Sequence, residues 1–283
     1  MTVQNIIFPK RRFFMESIVR TRIDIGLEKP VRILHVTDVH ISKADERDTP
    51  RQQKQAVQRE EVFRKEGGFP PKSPEEYFLD AVELAKKEEA LLVCTGDAID
   101  LHTHACVDFF LDLIRDEDLM FAPGGHEHQC RFVRTMEEEP PYARTVRARL
   151  DEEFSRFDLY LESRIINGVN IVTLDNSLDY FSLRTLEAFR RELEKGLPIV
   201  AFFHDYLWDE QLNMKEAYHP NVTLTPEDYR ISHEMMDILY HHPLVVATFS
   251  GHGHRDEVRE IDGKKHYMTD GLFKGIARMI EIV

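Results

Sequence analysis

Aspartate and histidine side chains stand at the ends of five apolar runs in this sequence. The set comprises Asp38 and His40 after VRILHV, Asp97 and Asp100 after LLVCT, His126 after LMFA, His204 at the end of PIVAFFH, and His252 and His254 after LVVATFS. Because ligand sites gather at the carboxyl ends of parallel strands, these side chains are expected to lie together. Carboxylates and neutral imidazoles suit divalent transition metals such as Mn, Fe, Co or Zn. Two such ions about 3.5–4 Å apart can activate a water and hold a phosphoryl oxygen, so the pattern predicts a two-metal hydrolytic site.

Strands that alternate with helices along the chain predict an α/β fold, and the β-rich ends predict a mixed sheet. Ser73-Pro74 and Thr225-Pro226 have the composition of helix N-termini, and a further helix is predicted over residues 142–157. The first thirty residues are interpreted as a β-meander and the last twenty as a β-ribbon. Residues 42–72 are polar and charged, which is typical of an insertion, a mobile flap or a partly helical excursion outside the core. One domain covering residues 1–283 is expected.

The composition limits the compartment and the partners. The formal net charge of −14 disfavours binding to nucleic-acid phosphates, whereas a small anionic substrate needs local positive charge, which metal ions would supply. No apolar run reaches the roughly 18–20 residues of a membrane span, so no membrane partner is expected. The three cysteines (Cys94, Cys106 and Cys130) show no C-x-x-C spacing and the start lacks the order of a secretory signal, which predicts reduced thiols in a cytoplasmic protein.

The blocks D-x-H, G-D-x-x-D, G-x-H-E, H and G-H-x-H, in this order from Asp38 to His254, resemble those of the calcineurin-like metallophosphoesterases. The resemblance covers most of the chain, and the combination of blocks is specific. It implies two packed mixed β-sheets flanked by helices and a dinuclear centre of Mn, Fe, Zn or Co. It also implies hydrolysis of a phosphomonoester or phosphodiester by attack of a metal-bound hydroxide, with a small phosphorylated molecule as substrate.

The resemblance assigns a role to each matching residue. It implies that Asp38, His40 and His254 hold the first ion, that His204 and His252 hold the second ion, and that Asp97 bridges both. It also implies that His126 donates a proton to the leaving oxygen or stabilises its charge, and that Asp100 orients His126. Purple acid phosphatases carry a tyrosine where Asp100 stands, and the Ser/Thr protein phosphatases carry an arginine where Leu101 stands and lack the G-H-G-H pair. Hydrolases of nucleotides, cyclic nucleotides, phospholipid headgroups and small phosphomonoesters therefore stay open.

Gly125 departs from the family pattern, which places an asparagine ligand of the second metal at this position. Glycine has no side chain, so that ligand is lost. Water could fill the gap, Glu127 or His128 could turn towards the metal, or the second site could be empty. The last case leads to the alternative function, a metal-binding scaffold or interaction protein of the same fold with weakened catalysis.

Residues near the site give weaker predictions for substrate binding. Tyr206 and Trp208 follow His204 and could line a substrate pocket, although core packing explains them equally well. Arg131 follows the His126 loop and could hold a second phosphate, although a solvated helix face is the more common setting. The sequence leaves the oligomeric state open.

Overall fold

The computed structural model of the chain describes residues 17–66, 72–128, 140–178, 180–206 and 225–283, with the backbone alone for residues 140–146. Eleven strands form in the described residues: β1 Ser17–Ile23, β2 Val31–Val36, β3 Leu91–Thr95, β4 Leu119–Ala122, β5 Leu161–Ile166, β6 Val169–Leu174, β7 Ile199–Phe202, β8 Val245–Ser250, β9 Glu257–Ile261, β10 Lys264–Met268 and β11 Ile276–Ile282. Six α-helices accompany them in the same residues: α1 Pro50–Glu66, α2 Pro74–Glu88, α3 His104–Leu113, α4 Pro140–Glu153, α5 Leu183–Leu193 and α6 Pro226–His241.

The strands form two mixed sheets. The first has the order β1-β11-β2-β3-β4, in which β2, β3 and β4 are parallel and β11 runs antiparallel to β2. The second has the order β5-β6-β7-β8-β10-β9, in which β6, β7, β8 and β10 are parallel. The parallel strands are short and buried along almost their whole length, as expected for strands covered on both faces.

The two sheets pack face to face between layers of helices. Ile33 and Val93 of the first sheet share one buried cluster with Phe202 and Phe249 of the second. A second cluster joins the outer face of the first sheet to α2 and α3, and a third joins the outer face of the second sheet to α5 and α6. The predicted α/β class, two packed mixed sheets flanked by helices, is therefore confirmed. The extent of the domain, residues 1–283, stays a prediction.

Helix starts follow the local sequence signals. Ser73 caps α2 and Thr225 caps α6, each with a capping box completed by the acidic residue three positions later and with proline at the first helical position. The helix predicted over residues 142–157 is α4, which ends at Glu153. None of the described helices combines the length and the apolar composition that crossing a bilayer requires.

Three sequence predictions about the ends and the insertion need correction. The start is not a meander in its described part, because β11 lies between β1 and β2. The end is not a ribbon, because β10 and β11 belong to different sheets, and β10 instead forms a hairpin with β9. Residues 50–66 are helical and not wholly outside the core, since Ala56 and Phe63 of α1 are buried.

Candidate metal centre

The carboxyl ends of β2, β3, β4, β7 and β8 meet at one edge of the two sheets, and the loops that follow them carry the predicted ligands. The backbone of these loops is unusual. Most non-glycine residues avoid the left-handed region, yet five of the six predicted ligands adopt it, with φ between 47 and 64°: Asp38, His40, Asp97, His252 and His254. Backbone strain of this kind concentrates at functional sites, where it aims side chains that an ordinary loop would direct elsewhere.

The first predicted triad consists of Asp38, His40 and His254, whose ligand atoms lie within 4.8 Å of one another. His254 Nε2 stands 3.0 Å from Asp38 Oδ1 and 3.3 Å from His40 Nε2. Asp38 and His40 are buried, and the His254 side chain is 35 % exposed. The triad therefore forms a set of three converging donors that is open to solvent on the His254 side.

The second predicted triad consists of Asp97, His204 and His252, again with ligand atoms within 4.8 Å. His204 Nε2 lies 3.2 Å from Asp97 Oδ2 and 3.3 Å from His252 Nδ1. Asp97 Oδ2 also lies 3.9 Å from His40 Nε2 of the first triad. The Asp97 carboxylate thus stands between the two triads, which is the position that a bridging ligand requires.

Two further residues at the second triad, Asp205 and Asn176, were not predicted from the sequence. Asp205 follows His204 and is buried, with its Oδ1 3.3 Å from His252 Nδ1 and 4.0 Å from His204 Nε2. Asn176, just after β6, accepts the backbone N–H groups of His204 and Asp205 and donates its amide to the Asp205 carbonyl. The available signal was an acidic residue directly after a strand-end histidine.

His126 lies beside both triads without belonging to either. Its Nδ1 is 2.8 Å from the Asp100 carbonyl and 3.1 Å from Asp100 Oδ1, and its Nε2 is 3.9 Å from Asp97 Oδ2. A carbonyl oxygen can only accept, so the hydrogen of the neutral ring sits on Nδ1 and Nε2 faces the triads. The structure therefore places both the carbonyl and the carboxylate of Asp100 against Nδ1 of His126.

Asp100 connects more of the site than the sequence indicated. Its carboxylate also accepts from His40 Nδ1 at 3.0 Å, which leaves His40 Nε2 directed at the first triad. Arg59 of α1 binds the same carboxylate through Nε and Nη2, at 2.7 and 2.9 Å. His40, Asp100 and His126 form a third group of close side chains. Both histidines contact Asp100 through their Nδ1 atoms, so we interpret this group as a hydrogen-bond network rather than a metal triad.

Helix α1 covers the first triad through one aromatic contact. The Phe63 ring stacks on the His40 ring with centroids 4.3 Å apart and planes 10° apart, and it also packs against Phe273 at 4.9 Å. Together with Arg59, Phe63 makes the segment predicted as an insertion a part of the site wall.

Glu127 and His128, which were considered as substitutes for the lost asparagine, are engaged elsewhere. The buried Glu127 carboxylate accepts the backbone N–H groups of Gly124, Asp97, Ala98 and Ile99 at 2.6–3.2 Å. His128 Nε2 is 2.8 Å from the hydroxyl of Ser177. The interpretation in which either side chain turns to the second metal is therefore not what the structure shows.

Glycine is required where the loops pass closest to the carboxylates. A Cβ at Gly124 would lie 2.5 Å from the backbone nitrogen of Asp97, and a Cβ at Gly251 would lie 2.7 Å from Asp38 Oδ2. Real Cβ contacts essentially never fall below 3.0 Å, so a side chain at either position would displace a predicted ligand. At Gly125 the family asparagine has no counterpart, which leaves the second triad without an amide ligand from this loop.

The electrostatics of the site favour cations. Burial opposes the ionisation of Asp38 and Asp97, but the neighbouring histidines outweigh it and hold the pKa of each carboxyl well below its usual range. Burial likewise opposes protonation of His40, but hydrogen bonds to Asp100 and Asp38 outweigh it and raise the pKa of His40 to about 9. A buried imidazole that prefers to be charged marks an excess of negative charge, which divalent ions would balance. The donor set and its charge therefore fit divalent metal ions.

The weaker predictions for substrate binding have different outcomes. Arg131 and Trp208 lie outside the described residues. The half-buried Tyr206 lies at the second triad, with its ring centroid 5.8 Å from that of His252 and 5.3 Å from the Arg255 guanidinium carbon. A separate cavity of about 210 Å³ lies beside the His126 loop and is lined by His128, Arg147, Tyr160, Asp175, Ser177, Leu178, Tyr180 and Ser182.

Comparison with solved structures gives distant similarities. A candidate 5′-nucleotidase from Staphylococcus aureus in complex with alpha-ketoglutarate is 13% identical to this chain, with a TM-score of 0.44. The match covers 86% of this chain and 49% of the nucleotidase, so this chain spans about half the length of that protein. Phosphopantetheinyl hydrolase from Mycobacterium tuberculosis is 12% identical with a TM-score of 0.42, over 90% and 91%. GAP50, the anchor in the inner membrane complex of Plasmodium, is 10% identical with a TM-score of 0.37, over 84% and 71%.

A search of curated proteins finds no match to the chain. The family model described as calcineurin-like phosphoesterase, in contrast, matches residues 31–256, a range that contains both triads, His126 and Asp100. This match extends over most of the chain and confirms the resemblance drawn from the sequence blocks. The chain belongs to the calcineurin-like phosphoesterase family.

Proposed function

We propose that this protein is a metal-dependent phosphoesterase that hydrolyses a phosphomonoester or phosphodiester of a small molecule. The observation that carries the proposal is the meeting of two Asp/His triads with His126 beside them, its Nε2 3.9 Å from Oδ2 of Asp97, the carboxylate that stands between the triads. A protein that served only as a scaffold would not require an imidazole such as that of His126 to be oriented beside the triads.

The residues divide between two ions in this proposal. Asp38, His40 and His254 would hold one ion, His204 and His252 the other, and Asp97 both. When bound, such ions supply Lewis-acid polarisation of the phosphoryl group and an activated water nucleophile. The metals proposed are Mn, Fe, Zn or Co. Each triad offers one carboxylate and two imidazoles, a ligand set that suits these ions better than calcium or magnesium.

His126 acts on the leaving group. With Nδ1 held by Asp100, the imidazolium form carries its second proton on Nε2, on the side that faces the triads. A phosphoryl group at the triads would place its ester oxygen within reach of this proton. The Asp100 carboxylate, itself fixed by Arg59 and Ser42, keeps the ring from rotating. His126 is therefore the proposed general acid, and Asp100 is the residue that positions it.

The proposed partner is a small phosphorylated molecule. The net charge of −14 repels extended phosphate backbones, so binding would depend on local positive charge at the metal centre. The separate cavity beside the His126 loop, with Tyr160 and Tyr180 among its lining residues, is the proposed place for the organic group of the substrate. We also propose a cytoplasmic location, in keeping with Cys94 and Cys106, which are buried free thiols.

A hydrolysis assay tests the proposal. Purified protein is freed of metal with a chelator and assayed with p-nitrophenyl phosphate and bis-p-nitrophenyl phosphate, with and without added Mn²⁺. The expected result is Mn²⁺-dependent hydrolysis of at least one ester, and a loss of roughly 10²–10⁴-fold in the His126→Ala variant. His241→Ala is the matched control, because His241 is an exposed histidine on α6 that pairs with surface carboxylates.

Two outcomes would count against the proposal. Unchanged hydrolysis by His126→Ala would remove His126 from the reaction. Absence of hydrolysis with Mn²⁺, Fe²⁺, Zn²⁺ and Co²⁺ in the wild type would favour the alternative, a metal-binding scaffold or interaction protein of the same fold, which the glycine at position 125 supports.

A further inference from the structure

The second triad has an acidic neighbour, Asp205, that no family block contains. Asp205 is the residue after His204, at the carboxyl end of β7, and its side chain is buried. Its Oδ1 stands 3.3 Å from His252 Nδ1 and 4.0 Å from His204 Nε2. These two nitrogens are the donors that the second triad directs at its centre. The Asp205 oxygen therefore faces the same space as the triad.

The separations match those between ligands of one metal ion. With metal–ligand bonds of about 2.0–2.2 Å, two neighbouring ligands on one ion lie roughly 3.0–3.6 Å apart. The Asp205–His252 separation falls in this range, as does the 3.2 Å between Asp97 Oδ2 and His204 Nε2. The 4.0 Å to His204 is longer by a few tenths of an ångström, a difference that a side-chain rotation can close.

The backbone of Asp205 is fixed in place. Asn176 accepts its N–H at 3.0 Å and donates to its carbonyl at 2.7 Å, while also accepting the N–H of His204 at 3.1 Å. Asn176 is itself buried. His204 and the aspartate after it are thus held as one unit, so the fold sets the direction of the Asp205 Cα–Cβ bond and a rotation of the side chain alone adjusts its oxygens.

We infer that Asp205 is a ligand of the second metal and replaces the asparagine that Gly125 lacks. This inference rests on the proposed function, since it requires a metal at the second triad. The exchange moves the fourth protein ligand from the loop after β4 to the loop after β7 and changes it from a neutral amide to a carboxylate. The second ion then has two carboxylates and two imidazoles, and it binds more tightly than a site in which water fills the gap.

Metal binding without substrate tests this inference. The full chain is freed of metal and titrated with Mn²⁺, and free Mn²⁺ is followed by electron paramagnetic resonance. The wild type is expected to bind two ions. In Asp205→Ala the first ion keeps its affinity, which shows that the variant is folded, and the second binds roughly 10–100-fold more weakly. Asp205→Asn, which retains one oxygen donor, should fall between them. Asp237→Asn, an exposed position on α6, is the control.

The outcomes separate this inference from the proposed function. If the wild type hydrolyses esters with Mn²⁺ and binds two ions, but Asp205→Ala and Asp205→Asn bind both with wild-type affinity, Asp205 is not a ligand and the phosphoesterase proposal stands. A wild type that binds a single ion would also overturn the inference, because there would be no second ion for Asp205 to hold. A wild type that binds no ion would refute both.

Discussion

Glu127 provides the sharpest test of how the metal loops are held together. Its buried carboxylate accepts four backbone N–H groups, two on each oxygen: Oε1 accepts from Ala98 and Ile99, and Oε2 accepts from Asp97 and Gly124. All four of these backbone neighbours are hydrogen-bond donors. Burial and the Asp97 charge raise the pKa of Glu127, but only the ionised form can accept all four bonds.

The magnitude of the Glu127→Gln effect follows from this count. The amide keeps one oxygen, which can still accept two N–H groups, and its NH₂ group would face the other two donors. Two buried N–H groups then lose their acceptor, at a cost of about 1–3 kcal/mol each. The expected loss in the free energy of unfolding is therefore about 2–6 kcal/mol, although Gln and Glu have nearly the same shape.

Urea unfolding at pH 7 and a fixed Mn²⁺ concentration, followed by circular dichroism, measures this loss. Glu61→Gln on the exposed face of α1 removes a carboxylate that pairs with the exposed Lys65, and its urea midpoint should match the wild type. A Glu127→Gln variant within about 1 kcal/mol of the wild type would contradict the argument from buried donors. A variant with full stability but weakened Mn²⁺ binding would instead make Glu127 a metal ligand.

Three further predictions concern residues around the site and in the core. Arg59→Met removes the two hydrogen bonds that fix Asp100, so kcat should fall roughly 10–100-fold and the urea midpoint should also fall, because the buried carboxylate loses its charged partner; an unchanged kcat would exclude a positioning role. Asn176→Ala leaves the buried N–H groups at the end of β7 without their acceptor and frees Asp205, so both stability and second-site Mn²⁺ affinity should fall; loss of stability alone would show that Asn176 does not position the ligands. Burial lowers the pKa of His266 from 6.5 to about 3, so the unfolded chain takes up the proton first and stability is lost as the pH falls from about 6.5 towards 3. Between pH 7 and pH 5 the wild type should therefore lose about 2 kcal/mol more than His266→Gln, and equal losses would contradict the shift.

The convergence of the candidate ligands at one sheet edge could be predicted because it follows from local patterns. Each apolar run that ends in Asp or His is a buried strand, and parallel strands place their carboxyl ends at one edge. The capping boxes at Ser73 and Thr225 are also local, since each involves residues three positions apart. Such features depend on a few neighbouring side chains, which the sequence displays directly.

The parts that could not be predicted depend on contacts between distant segments. Strand β11 lies between β1 and β2, although more than 230 residues separate it from either along the chain, and nothing local signals that pairing. The stacking of Phe63 on His40 requires α1 to fold back over the site. The polar composition of α1 gave no indication of this contact. Asp205 was missed because the fourth family block consists of His204 alone, whereas its approach to His252 appears only when β7 and β8 lie side by side.

The central claim is that the strand-end residues hold two metal ions at one hydrolytic centre. Anomalous X-ray diffraction from crystals of the full chain loaded with Mn²⁺ tests it most directly. We expect two manganese peaks, one among Asp38, His40 and His254 and the other among His204, His252 and Asp205, with Asp97 contacting both. A single peak, or peaks away from these residues, would contradict it.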